Sequence, residues 1–174
     1  MKHLSVLMLL IGLTVGVTTH ANTLPQKITI KIYATSNKHT YLGNIIAQQT
    51  SNGVLFTPDL HDLTPGIHGF HIHEVPDCGD HGLNANGHFD PDNTNKHLGP
   101  YQNGHLGDLP VLIVNKDHRA TLPVLAPRLT INAILNHAIM IHKGGDNYSD
   151  APEKLGGGGK RVACGIIKAQ NDQP

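Results

Sequence analysis

Apolar and polar residues alternate along several short stretches of the chain, and this two-residue period predicts β-strands rather than helices. The clearest stretch is 27–33, Lys-Ile-Thr-Ile-Lys-Ile-Tyr, where isoleucine occupies every second position. Glycine and proline separate the stretches, and no helix-length run with a 3.6-residue period follows residue 21. We therefore predict an all-β domain of eight strands, a sandwich or barrel. The predicted strands are 27–33, 41–48, 53–60, 66–73, 109–114, 120–125, 137–142 and 162–167.

Two connections between the predicted strands, 74–108 and 143–160, are too long for hairpins. Irregular loops of this length inside a compact domain are usually functional or disordered. The first loop holds most of the metal-binding residue types, and the second contains Gly-Gly-Asp-Asn-Tyr-Ser-Asp at 144–150 and four glycines at 156–159. We expect both to be functional loops.

The first 21 residues have the pattern of a secretory signal peptide. Lys2 supplies a positive charge, 4–17 is almost wholly apolar, and Thr-Thr-His-Ala at 18–21 resembles a cleavage site. The apolar run is shorter than the ~20 residues that a membrane span needs. We predict cleavage after Ala21, a single domain at 22–174 and no membrane insertion once the signal is removed.

Export changes the interpretation of the two cysteines, Cys78 and Cys164. In an exported protein, an even pair of cysteines is expected to form one disulfide. The bond would close a loop of about 85 residues, which in the chain-entropy model stabilises the fold by about 4 kcal/mol.

Thirteen basic and 13 acidic residues balance each other, and no basic patch with interleaved aromatics occurs. Nucleic acid is therefore not an expected partner.

Histidine is the composition anomaly: 11 of the 14 histidines lie between His61 and His142. His71 and His73 share one face of a predicted strand, so both imidazoles can bind one ion. His142 ends another predicted strand and offers a third imidazole. His68 points to the opposite face, and we expect it to brace the site as a hydrogen-bonding core residue. Five further histidines are expected to bind no metal: His39, His61, His81, His118 and His137.

A second group of ligand types lies in or beside the first long loop and consists of His97, His105 and Asp108. Two or three histidines with one aspartate and no cysteine suit tetrahedral Zn²⁺. Three or four imidazoles alone suit copper. His88 falls between the two groups and can serve either metal.

Six stretches together are similar to copper/zinc superoxide dismutase, and the resemblance covers nearly all of 22–174. They are Gly-Ile-His-Gly-Phe-His-Ile-His at 66–73, Gly-His-Phe-Asp-Pro at 87–91, Lys-His-Leu-Gly-Pro at 96–100, Gly-His-Leu-Gly-Asp-Leu-Pro at 104–110, His-Ala-Ile-Met-Ile-His at 137–142 and Gly-Gly-Lys-Arg-Val-Ala-Cys-Gly at 158–165. Residues 144–150 and the signal peptide resemble the bacterial, periplasmic branch. The resemblance implies an immunoglobulin-like Greek-key β-sandwich or barrel.

The same resemblance implies a role for each candidate residue. His88 would bridge the metals, Asp146 would hydrogen-bond His71 and His97, and Arg161 would lie beside the copper. Cys78 and Cys164 match the intrasubunit disulfide. The implied copper ligands are His71, His73, His88 and His142. The implied zinc ligands are His88, His97, His105 and Asp108.

The implied reaction is dismutation of superoxide to O₂ and H₂O₂ in antioxidant defence, with one copper and one zinc per subunit. A homodimer is an assembly that the resemblance allows, although the interface cannot be carried over. The chief alternative is a copper-binding or copper-delivery protein with the same fold and no turnover. A zinc hydrolase needs an open coordination position, whereas four protein ligands fill this zinc set.

We also hypothesise that one or two lysines steer the anion. The candidates are Lys96, Lys143, Lys154 and Lys160.

Overall fold

The computed structural model describes residues 26–36 and 38–169, so the signal peptide predicted at 1–21 lies outside the described residues. Its first strand shows how the sequence pattern becomes structure. Ile28, Ile30 and Ile32 are fully buried, whereas Lys27 and Lys31 are exposed.

Within the described ranges, no helix has the length and apolar character needed to cross a membrane.

The described residues form nine β-strands, and every strand pair is antiparallel. Seven strands make one sheet in the order β5-β8-β9-β1-β2-β3-β7, and β4 pairs with β6. The predicted all-β class is confirmed. The strands are β1 (Lys27–Ala34), β2 (Tyr41–Thr50), β3 (Gly53–Leu60), β4 (Gly66–His68), β5 (Phe70–His73), β6 (Leu112–Val114), β7 (Val124–Ala126), β8 (His137–His142) and β9 (Arg161–Ile167).

The predicted strand 66–73 is divided at Gly69, which gives nine strands instead of eight. Gly69 N–H donates to the Gly144 carbonyl, and the Gly69 carbonyl accepts from His142 N–H, at 2.7 and 2.8 Å. These bonds turn the chain from the β4–β6 pair into the main sheet. Strands predicted at 109–114 and 120–125 are shorter than expected, at Leu112–Val114 and Val124–Ala126.

Three short helical segments were not predicted because each is about one or two turns long. The α-helix α1 spans Ile131–Ile134, and its first turn is capped by the Thr130 side chain, which accepts from Ala133 N–H. Two 3₁₀ segments, Asp80–Ala85 and Lys154–Gly157, lie one in each long loop. Each long loop therefore contains a short helical segment, and Asp80–Ala85 packs against β8 and β9.

The side chains of β5 divide between the core and the opposite face, and all four are buried. Phe70 and Ile72 belong to the main apolar cluster, where Phe70 contacts Phe56 edge-to-face at 5.9 Å. Burial of each such side chain contributes about 1.5–3 kcal/mol. His71 and His73 occupy the other face, so the packing of the core fixes where both imidazoles point.

The predicted disulfide between Cys78 and Cys164 is confirmed, with their Cα atoms 5.8 Å apart. It joins the loop that follows β5 to the middle of β9. Cys164 is 1% exposed and packs with Ala138 and Met140. The bond therefore fixes the start of the first long loop to the sheet.

Replacing both cysteines by serine removes this constraint on the unfolded chain without leaving a free thiol. We expect the free energy of unfolding of the Cys78→Ser/Cys164→Ser variant to fall by about 4 kcal/mol. Urea unfolding followed by circular dichroism measures the difference. A loss below about 1 kcal/mol would mean that the loop is held mainly by other contacts.

Candidate metal centre

Strands β5 and β8 bring three imidazoles together. His71 lies opposite Met140 in the β5–β8 ladder, and His142 ends β8 at a register shift between Ile141 and His142. The rings of His71 and His142 are 4.8 Å apart, and those of His73 and His142 are 5.6 Å apart. The sheet alone therefore positions three candidate ligands.

The first long loop runs back along the free edge of β5 and supplies the remaining ligand types. Ile72 N–H donates to the Gly107 carbonyl, and Phe89 N–H donates to the Ile72 carbonyl, both at 2.9 Å. A β-carbon at Gly107 would lie 2.2 Å from the Ile72 carbonyl oxygen. The loop can lie this close only because position 107 is glycine. Single-residue pairings then set His88 opposite His73 and Asp108 opposite His71.

All seven predicted ligand residues converge, in two buried groups that share His88. Within each group, the candidate ligand atoms lie within 4.8 Å of one another. The first group is His71, His73, His88 and His142, and the second is His88, His97, His105 and Asp108.

The unpaired ring nitrogens test whether these groups fit metal ions. Each of the six imidazoles has one buried nitrogen that makes no well-aligned hydrogen bond, although Nδ1 of His97 and of His105 lies near the Asp108 carboxylate. A buried polar atom left unpaired costs about 1–3 kcal/mol, so six in one place require an explanation. Metal coordination supplies the missing partners, and the donor sets fit. The atoms are Nδ1 of His71, His97 and His105, and Nε2 of His73, His88 and His142.

The donor chemistry differs between the groups. The first offers four imidazoles and no oxygen, which suits copper. The second offers three imidazoles and one carboxylate, which suits zinc. His88 belongs to both because its Nε2 is unpaired, while its Nδ1 lies 2.9 Å from Asp108 Oδ1.

Asp108 is held so that one oxygen faces the three imidazoles of its group. Oδ1 lies 2.9 Å from Nδ1 of His97 and 3.5 Å from Nδ1 of His105. Oδ2 accepts the N–H groups of Leu98 and Gly99, both at 3.2 Å. Burial opposes ionisation, but the imidazoles hold the pKa of Asp108 well below its ordinary value. The residue is therefore an ionised carboxylate with a fixed direction.

In five of the six imidazoles the other ring nitrogen lies within hydrogen-bond distance of an oxygen that orients the ring, whereas His105 Nε2 lies 4.0 Å from the nearest carboxylate oxygen, of Asp90. Asp146 accepts from His71 Nε2 through Oδ2 at 2.8 Å and from His97 Nε2 through Oδ1 at 2.7 Å. His73 Nδ1 lies 2.8 Å from the Asn86 carbonyl oxygen. Such outer partners orient metal-binding imidazoles and set which nitrogen is free. Asp146, on the second long loop, thus connects one residue of each group.

Burial keeps the first group neutral. Desolvation lowers the pKa values of His71, His73 and His88, and it lowers the pKa of His142 to about 4. His97 behaves differently: burial lowers its pKa, but Asp108 and Asp146 together raise it to about 9. Imidazoles must be deprotonated to bind a metal ion. The first group is therefore ready for a cation, whereas a cation at His97 must displace a proton.

His68 braces the centre, as its position on the strand predicts. It is 2% exposed, and its two ring nitrogens each lie 2.7 Å from a carbonyl oxygen, of His142 and of Thr64. The five other histidines expected to bind no metal are absent from both groups. His118 and His137 instead lie near main-chain carbonyl oxygens, and His61 lies beside Asp62.

Arg161 begins β9 directly opposite His142. Its side chain is half-buried, and two of its terminal nitrogens donate to the carbonyls of Gly82 and Asn86 in the first long loop. The guanidinium has five N–H groups, so three remain for other partners. The arrangement places a fixed cation next to the first group.

Gly156 is a residue of the centre that the sequence reasoning missed. A β-carbon there would lie 1.9 Å from Asp146 Oδ1 and 2.8 Å from His97 Nε2, and its φ of +73° also favours glycine. The available signal was the run of four glycines at 156–159. The sequence did not indicate its role, because the contact with the His97 ring forms only when the two long loops pack together.

Comparison with known proteins agrees with this geometry. The family model described as copper/zinc superoxide dismutase matches residues 41–167. The Cu-Zn superoxide dismutase of Legionella pneumophila is 55% identical over 141 residues, which are 81% of this chain and 86% of the relative. That of Escherichia coli strain K12 is 44% identical over 165 residues, 90% of this chain and 95% of the relative.

Solved structures show the same likeness. The Cu/Zn superoxide dismutase from Brucella abortus has a TM-score of 0.77 and 43% identity, over 82% of this chain and 99% of that one. The family match covers strands β2 to β9 and both long loops, because it runs from the start of β2 to the end of β9. The chain therefore belongs to the copper/zinc superoxide dismutase family.

Proposed function

We propose that this chain is a superoxide dismutase, which converts two superoxide anions and two protons into O₂ and H₂O₂. It uses one copper and one zinc per chain. The observation that supports this function most strongly is the pair of buried ligand groups joined at His88. An isolated structural zinc site would not need the four-imidazole group, and a hydrolase would need an open position in the second group.

Copper would be held by His71, His73, His88 and His142, and zinc by His88, His97, His105 and Asp108. Bound copper supplies one-electron redox chemistry, whereas zinc has no redox chemistry. The sheet carries three copper ligands, while the first long loop carries the zinc ligands. His88 is the only residue assigned to both sets.

His88 is assigned the proton transfer that the reaction needs. Its Nε2 faces the first group and its Nδ1 the second, so the ring can hold a proton on Nε2 while Nδ1 keeps its position. The side chain is fully buried, so Nε2 would exchange its proton only with the space of the first group. It could give the nascent peroxide one of the two protons that the reaction consumes, and solvent that reaches this space would supply the other and restore the proton on Nε2.

Arg161 is assigned the binding of the superoxide anion. The carbonyls of Gly82 and Asn86 fix its guanidinium, so little side-chain entropy remains to be lost when the anion binds. Partial burial strengthens its charge interaction with an anion compared with that of a fully hydrated lysine. Arg161 is thus a binding and orienting residue at the first group.

We further propose that residues 1–21 are a cleaved signal peptide, that 22–174 is the mature domain and that the enzyme works in the bacterial periplasm. The amino-terminal pattern supports export. The disulfide between Cys78 and Cys164 supports an oxidising compartment.

Variants of His142 and His105 test the two sites separately, because each residue belongs to one group only. Loss of an outer partner costs about 10–100-fold in metal affinity, so loss of a ligand should cost more than about 100-fold. We expect His142→Ala to lose copper and activity but retain zinc, and His105→Ala to lose zinc first. Elemental analysis measures the copper and zinc content of each variant, and a superoxide-decay assay measures its activity. Replacement of the half-exposed His61 by alanine is the control. A fully metallated parent without activity would instead support copper handling.

Replacing Arg161 by alanine removes a charged hydrogen-bond donor to the anion. Such a bond is worth about 1.5–3 kcal/mol, so kcat/KM should fall about 10–100-fold with copper content unchanged. Pulse radiolysis measures the rate, and elemental analysis the copper. An unchanged rate in fully metallated Arg161→Ala would rule out the assigned role.

The four candidate lysines are all exposed, and Lys143 and Lys160 are neighbours through a 2.7 Å main-chain hydrogen bond. If one or two of them steer superoxide, neutralising the right lysine should lower kcat/KM severalfold and flatten its dependence on ionic strength. The measurement is kcat/KM of each lysine-to-glutamine variant from low to physiological salt. Parent-like rates for Lys96, Lys143, Lys154 and Lys160 variants alike would exclude steering by these residues.

A further inference from the structure

The segment 144–150 contributes more to the centre than Asp146. Asp146, Tyr148 and Asp150 occupy alternate positions, and each makes a contact outside the second long loop. Asp146 is the one of the three that bonds imidazole nitrogens. The other two contact the main chain beside the zinc-side ligands, and the proposed reaction gives them no role.

Asp150 holds the main chain of His97. Its Oδ2 accepts His97 N–H at 2.9 Å, and its Oδ1 accepts Leu155 N–H at 3.2 Å. Leu155 lies in the 3₁₀ segment Lys154–Gly157, whose Gly156 packs against Asp146 and the His97 ring. One carboxylate therefore joins a zinc-side ligand to the turn that packs against its ring.

Tyr148 connects the supports of Asp146 and Asp108. Its own N–H donates to Asp146 Oδ1 at 2.7 Å, and its hydroxyl accepts Val111 N–H at 3.1 Å. Its ring covers Gly99, where a β-carbon would lie only 2.7 Å from the ring. Gly99 N–H in turn donates to Asp108 Oδ2. Tyr148 thus fixes the position of Gly99, whose N–H holds the Asp108 carboxylate in its orientation.

The backbone of Tyr148 supports a specific role. Its φ is +57°, a left-handed conformation that is unfavourable for a residue with a β-carbon. Such residues persist where the surrounding contacts over-determine them, and they cluster at functional sites. Here the conformation lets one residue contact Asp146 through its main chain and both Gly99 and Val111 through its side chain.

We propose that Tyr148 and Asp150 are positioning residues for the zinc site, which hold His97 and Asp108 through main-chain contacts between the two long loops. The inference rests on the proposed function, because it takes the second group as the zinc site. Removal of outer-shell partners typically costs about 10–100-fold in metal affinity. The contribution should therefore be visible as faster loss of zinc rather than as loss of the fold.

The experiment uses the whole mature protein, loaded with copper and zinc, and compares how fast each variant releases zinc to an excess of a chromogenic chelator. We expect Asp150→Ala and Tyr148→Ala to release zinc about tenfold faster than the parent chain. Tyr148→Phe keeps the ring over Gly99, and Asp150→Asn keeps one acceptor oxygen, so both should recover most of the difference. Glu153→Gln removes an exposed carboxylate from the same loop and is the matched control.

Cobalt substituted for zinc provides a spectroscopic measurement of ligand geometry. The visible absorption bands of Co²⁺ should shift in both alanine variants, return towards the parent in Tyr148→Phe and stay unchanged in Glu153→Gln. Far-UV circular dichroism checks that each variant is folded, and the Asn and Phe variants keep the test open if an alanine variant fails to fold.

The outcomes separate the two proposals. Parent-like release, within about twofold, and parent-like cobalt spectra in all four variants would overturn the positioning role while leaving the zinc site intact. Equal loss in the conservative and alanine variants would also overturn it. A parent chain that binds no zinc, or loses it as fast as His105→Ala, would instead overturn the proposed function.

Discussion

The structure depends on one constraint: six imidazoles and a carboxylate must share a buried space although each imidazole leaves one nitrogen unpaired. Unpaired buried nitrogens are unfavourable, and protonating several neighbouring rings would add repulsion between cations. The carboxylates Asp108 and Asp146 compensate part of this cost, and bound copper and zinc would supply the remaining partners. The fold must therefore hold these side chains rigidly from every side.

These supports come from parts of the chain that are far apart in sequence. The core positions β5, the disulfide holds the start of the first long loop, and Arg161 bonds two carbonyls of that loop. Asp146 then closes the second long loop over the first. Each connection removes conformational freedom from a segment that has little regular structure of its own.

The fold class and the membership of the two buried groups were predictable because they depend on local patterns. Alternation along 27–33 places three isoleucines in the core, and the His-x-His spacing of His71 and His73 places two rings on one face. The division of the predicted strand at Gly69 was not predictable, because its cause is hydrogen bonding to residues more than 70 positions away. The roles of Gly156 and Tyr148 were not predicted for the same reason. Their contacts join segments that are far apart in sequence, and no repeating pattern within a loop indicates such contacts.

The two halves of the centre are held by different kinds of structure, and this difference has a physical consequence. Three residues of the first group lie on strands whose backbone is fixed by ladder hydrogen bonds and an apolar core. The second group lies on irregular chain that is held by contacts between loops, such as the hydrogen bond from His97 N–H to Asp150. Metal binding and loop order are therefore coupled more strongly in the second group than in the first. Since His88 belongs to both groups, the order of the loops also determines how well the first group is completed.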